Sequence, residues 1–85
     1  MKTFTYQITD PVGIHARPAG SLVKVAGRFA SRSVIACGDK QTEMTRLMAL
    51  MGMGIRHGDT VTVTVEGADE DAAAAALKDC FQELL

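Results

Sequence analysis

Thr60-Val61-Thr62-Val63-Thr64-Val65-Glu66 alternates hydroxyl-bearing and apolar residues without interruption, and this decides the fold. Such a strand carries one apolar face and one face suited to water. A strand of a parallel sheet, covered by helices on both sides, would read as a continuous apolar run instead. The stretch therefore predicts a mainly antiparallel sheet that is packed on one face and wet on the other.

Outward from it, Phe4, Tyr6 and Ile8 alternate with Thr3, Thr5, Gln7 and Thr9 to give a first strand, ended by Asp10-Pro11 and Gly13. Ser33 to Cys37 and Lys40 to Met44 read as two short strands around Gly38-Asp39, where a leading glycine suits a type II′ turn. Helical spacing takes over at Ala19, Leu22, Val23 and Ala26, with Gly27 near the end. Gly20 inside that helix costs about 1 kcal/mol relative to alanine, so packing must support it. Leu47 to Met51 forms a short helix stopped by Gly52 and Gly54. Asp69 offers an N-cap for a third helix whose apolar stripe is Ala73, Ala76, Leu77, Cys80, Phe81 and Leu84. The order β-α-β-β-α-β-α implies an α+β fold, an open-faced β-sandwich: a four-stranded antiparallel sheet covered on one face by three helices. A chain of 85 residues holds one such domain, spanning 1–85.

Composition narrows the function. A net charge of -1 and only four aromatic residues, Phe4, Tyr6, Phe29 and Phe81, supply neither the basic footprint nor the stacking platform that nucleic acid requires. Cys37 and Cys80 have no metal-ligand or redox spacing and read as small core residues in a reduced compartment. The longest apolar run, Leu47 to Ile55, is too short to span a bilayer, and the first residues lack a signal-peptide apolar region, so a cytoplasmic chain is expected. Charge is unevenly placed. Residues 1–56 hold eight Lys/Arg and three acids, whereas 57–85 hold one Lys and seven acids, which points to a basic docking face at one end or to an acidic, solvated last helix.

The chemistry-bearing segment is Gly13-Ile14-His15-Ala16-Arg17-Pro18-Ala19-Gly20. Proline is tolerated only in the first turn of a helix, so Pro18 places the helix start near His15 or Ala16. His15 then stands at or beside the N-cap, where free backbone amides and the positive helix end form an anion site. Such a setting disfavours imidazolium and leaves a neutral imidazole able to attack. A phosphoryl group gained there would meet the amides of Ala16 and Arg17 and the Arg17 guanidinium. On the residues alone, a polar helix-start histidine without chemistry remains an alternative.

The segment 13–19 resembles the active-site segment of the HPr phosphocarrier family of the bacterial phosphoenolpyruvate-dependent sugar phosphotransferase system. Gly58-Asp59-Thr60-Val61, Gly67-Ala68-Asp69-Glu70 and the chain length agree. The resemblance implies that His15 accepts phosphate, through Nδ1, from phosphorylated enzyme I and passes it to sugar-specific EIIA components. It implies a phosphoryl-transfer intermediate and not an enzyme, with no metal and no cofactor, and a monomer is expected. It also implies that the first two helices dock partners. Four of five methionines lie between Met44 and Met53, and a short helix cannot turn Leu47, Met48, Leu50 and Met51 all toward one core. We assign Leu50 to the core, Leu47, Met48 and Met51 to docking, and Gly20 and Lys24 to the facing side of the first helix.

Arg46 stands where the better-known Gram-positive pattern has a regulatory serine. Catabolite control through that serine should be absent, Thr45 is the neighbouring hydroxyl, and Arg46 favours acidic partner surfaces. His57 reads as an exposed bystander. A regulatory interaction module of a nitrogen-related or other branch is the alternative function, and a small-ligand-binding domain is disfavoured by the small interior.

Overall fold

The Thr-Val repeat forms the central strand of the sheet. In a computed structural model that describes residues 1–85, the elements are β1 (Lys2–Gln7), α1 (Ala16–Ala26), β2 (Arg32–Cys37), β3 (Lys40–Glu43), α2 (Leu47–Gly52), β4 (Thr60–Glu66) and α3 (Glu70–Leu84). Strand order is β1-β4-β2-β3, and every pairing is antiparallel. β4 lies between β1 and β2, with Phe4 opposite Val63 and Ile35 opposite Val63 on the other side. Val61, Val63 and Val65 are fully buried, while the threonines between them face outward. The expected fold class is therefore the observed one.

Helices cover only the valine face. α3 lies across β1 and β4, α1 beside α3, and α2 between α1 and β3. Phe81 of α3 is fully buried; its ring meets Phe4 edge-on at 5.9 Å and Tyr6 at 5.5 Å, a geometry favoured by the ring quadrupoles. Leu22, Ile35, Leu50 and Leu77 complete the centre. The β2–β3 hairpin turns through Gly38 at φ +64°, with no positive φ at Asp39, the sign pattern of a type II′ turn. Cys37 and Cys80 are free, and burial pushes both thiols up from their ordinary pKa, as befits packing residues.

Two expectations change. Leu84 does not join the core stripe: it is 38% exposed, and Leu85 is buried in its place. The carbonyl of Leu85 accepts hydrogen bonds from the Thr9 amide (2.7 Å), the Asp10 amide (2.9 Å) and the Thr9 hydroxyl (2.6 Å), which draws the end of α3 under the β1–α1 loop and rolls Leu84 out. Asp69 occupies the N-cap position of α3, but its side chain does not cap that helix. Instead its carboxylate accepts hydrogen bonds from the Ser31 hydroxyl and from the Ala30 and Ser31 amides, the latter two at 2.8 Å each. Three donors across a long sequence separation outcompete one local amide.

Those donors, the Ser31 hydroxyl first and the Ala30 amide next, hold the Asp69 carboxyl below the usual carboxylate range. A depressed folded-state pKa contributes stability above the unfolded value, near 4, and that contribution disappears as pH falls through the folded value. Native chain should therefore melt at a higher temperature than Asp69→Asn at pH 7. The gap should close below about pH 4 in a melting series; a gap constant from pH 7 to pH 2.5 would contradict this account.

Candidate phosphoryl-acceptor site at the mouth of helix α1

The loop from β1 to α1 is fixed from both sides. Its start is tied to the loop before β4, because the Gly58 amide donates to the Ile8 carbonyl and the Ile8 amide to the Asp59 carbonyl, each at 2.8 Å. Asp10 Oδ1 accepts hydrogen bonds from the amides of Val12 (2.8 Å) and Gly13 (3.2 Å), closing a turn. Ile14 is buried, and its amide donates to the Ile55 carbonyl at 3.1 Å. Gly13 sits between these ties at φ +80°, and a Cβ there would lie 2.4 Å from the Ile55 carbonyl oxygen. Only glycine fits that approach.

The loop delivers His15 in extended conformation to the N-cap of α1, where the first helical hydrogen bond runs from the Ala19 amide to the His15 carbonyl at 3.0 Å. Pro18 is the third helical residue, where the absent N–H leaves no bond unmade. The His15 amide donates to the Gly13 carbonyl at 3.1 Å, whereas the amides of Ala16 and Arg17 make no hydrogen bond within the chain. Two free donors and the positive helix end thus flank an imidazole that is half-buried and has no side-chain hydrogen bond. An open cleft of about 350 Å³ is lined by Asp10, His15, Arg17, Pro18, Ser21 and Leu84.

Charge is distributed to match only in part. The ion pairs, from the Met1 amino group to Glu70, Lys2 to Asp71 and Arg32 to Glu43, all sit at the end of the sheet away from His15. Arg17, Lys24, Arg46 and Arg56 make none. Of these, Arg17 lines the His15 cleft and Arg56 adjoins Gly13, whereas Lys24 sits in the last turn of α1 and the Arg46 amide donates to the Glu43 carbonyl, toward the end that holds the ion pairs.

α2 packs on α1 and contributes no residue to the cleft. Leu50 is fully buried, while Met48 is 79% and Leu47 39% exposed. Met51 is half-buried and packs against the core, and Met44 and Met53 are core residues. Methionine thus serves both roles, filling gaps below and leaving an adaptable surface above. Lys24 and Arg46 are exposed, and Gly20 is half-exposed, with no atom within 4 Å of where a Cβ would stand. His57 is exposed in the loop before β4 and has no hydrogen-bonding partner.

Sequence reasoning missed Asp10, Ser21 and Leu84 as lining residues of the cleft. Asp10 carried a usable signal, since an aspartate two residues before a free amide is the pattern of a side-chain-closed turn. Leu84 carried none, because its spacing was that of a core residue.

Comparison with known proteins supplies the family. The family described as "PTS HPr component phosphorylation site" matches residues 2–83. The chain belongs to the HPr family. Among its HPr relatives, the phosphocarrier protein of Mycoplasma genitalium is 43% identical over 84 residues, covering 98% of this chain and 96% of that protein. The phosphocarrier protein HPr of Lysinibacillus sphaericus is 39% identical over 84 residues, covering 99% and 96%. A solved mycoplasma histidine-containing phosphocarrier protein superposes with a TM-score of 0.94 at 38% identity, covering 96% of this chain and 93% of that one. HPr phosphocarriers are components of the phosphotransferase system, and sugar transport follows from the family. No helix here is long and apolar enough to cross a membrane.

Proposed function

We propose that the chain carries phosphoryl groups on His15, taking them from phosphorylated enzyme I and giving them to EIIA components during sugar uptake. The observation that supports this most is the pair of unpaired amides, Ala16 and Arg17, beside an accessible imidazole with an uncommitted guanidinium in the same cleft. In the transfer, the lone pair of His15 Nδ1 forms a bond to phosphorus as the donor's P–N bond breaks and its electron pair returns to the donor nitrogen. The incoming oxygens gain two N–H donors and the Arg17 charge, and these interactions strengthen as the group arrives. The reverse geometry serves the acceptor. The chain needs no metal for either step, and it acts as an intermediate regenerated at each cycle.

Docking belongs to Leu47, Met48 and the half-buried Met51 on α2, facing Gly20 and Lys24 on α1, with Arg46 at the rim. The cations attract acidic partner surfaces and raise encounter rates, most at low ionic strength. Met48→Glu should lower the rate of transfer from enzyme I about tenfold at subsaturating concentration, with the melting temperature unchanged, because Met48 contributes apolar contact to the partner and little to the core. Transfer at the native rate in a stopped-flow assay would remove Met48 from the docking face.

The function is tested by mixing the protein with enzyme I, magnesium and phosphoenolpyruvate and following the mass. One acid-labile phosphoryl group should appear and then move to a sugar-specific EIIA. Loading without passage to any EIIA would instead mark a regulatory module.

A further inference from the structure

The cleft that holds His15 and Arg17 also contains a carboxylate that the carrier chemistry does not require. Asp10 is half-buried and lines that cleft, and its two recorded side-chain bonds both go to Oδ1, from the Val12 and Gly13 amides. Its other oxygen, Oδ2, has no hydrogen-bond partner, and no cation lies within ion-pairing distance of the residue. A negative charge lining the site of an incoming dianion is electrostatically adverse, so its presence calls for a use.

We propose that Asp10 is a positioning residue with a second, electrostatic role: Oδ1 closes the turn that delivers His15, and the charge on the carboxylate keeps the phosphohistidine from becoming too stable to pass on. This rests on the reading of His15 as the phosphoryl acceptor. A carrier must be loaded by one partner and emptied by another, which demands a phosphoryl bond of intermediate stability. The free amides of Ala16 and Arg17 and the Arg17 guanidinium lower the energy of the bound group, and the Asp10 carboxylate raises it. The two influences act in one open cleft, where water and salt moderate both. The turn role is independent of charge, because an amide oxygen accepts the same two hydrogen bonds.

That independence provides the test. Asp10→Asn preserves an oxygen acceptor for Val12 and Gly13 and removes the charge, whereas Asp10→Ala removes both. The native chain and both variants are phosphorylated with phosphoramidate, a small-molecule donor that bypasses any protein partner, and the decay of the phosphohistidine is followed by mass and phosphorus NMR. The half-life should lengthen about fivefold in Asp10→Asn at low salt, and the difference should shrink in 0.5 M salt as screening rises. The Val12 amide, whose partner is Oδ1, should keep its hydrogen-bonded NMR signature in Asp10→Asn and lose it in Asp10→Ala. Transfer from enzyme I should slow in Asp10→Ala more than in Asp10→Asn. Equal half-lives for native and Asp10→Asn would overturn the electrostatic role, and native transfer rates in Asp10→Ala would overturn the positioning role. Failure of phosphoramidate to label His15 in the native chain would instead count against the carrier reading itself.

Discussion

His15→Ala should take no phosphoryl group from enzyme I, with the transfer rate falling by at least about a thousandfold, while the fold and melting temperature stay close to native. The expectation has two parts with separate origins. Loss of transfer follows from the proposed role of the His15 imidazole as nucleophile, since His57 stands in an exposed loop and lines no part of the cleft. Retention of the fold follows because the His15 side chain makes no hydrogen bond and the N-cap role rests on its backbone carbonyl, which alanine retains. Mass spectrometry after incubation with the complete relay gives the first reading and thermal unfolding the second. Label persisting in the variant would move the chemistry to another residue.

Gly13→Ala should have the largest effect on stability of the changes considered, a loss of about 2–4 kcal/mol. The left-handed backbone at φ +80° strains any side chain, and the added Cβ would also lie 2.6 Å from the Arg56 Cα and 2.4 Å from the Ile55 carbonyl oxygen. Both obstacles are backbone, so no rotamer change relieves them. The segments must separate, which weakens the bond from the Ile14 amide to Ile55 and shifts His15 two residues on. For a domain of this size the melting temperature should fall by roughly 10–20 °C, and phosphoryl acceptance should drop in the fraction that remains folded. A variant within 2 °C of native would mean that the two loops can part without cost.

Most of the architecture was legible because its signals are local. The valine-threonine alternation of β4, the Gly38-Asp39 turn and the position of Pro18 each restrict the backbone within a few residues, and the structure follows all three. Long-range competition was not legible. Asp69 has the sequence context of a helix cap, yet donors nearly forty residues earlier claim its carboxylate. Leu84 has the spacing of a core residue, yet the hydrogen bonds to the Leu85 carbonyl turn it outward toward the cleft. At the site, the motif located His15 and Arg17, and the spacing of Asp10 from Val12 signalled a side-chain-closed turn, but that this turn brings Asp10 into the His15 cleft depends on how the β1–α1 loop folds back. The division of methionines was partly readable: a six-residue helix must expose some of its apolar residues, but which ones depends on the angle at which α2 meets α1.

The most direct measurement is nitrogen-proton NMR of the chain before and after phosphorylation. If the helix mouth receives the phosphoryl oxygens, the amide signals of Ala16 and Arg17 should move strongly downfield, with smaller changes elsewhere, and the phosphorylated ring should be that of His15. Unmoved Ala16 and Arg17 amides in a phosphorylated chain, or a phosphorylated ring at His57, would contradict the account.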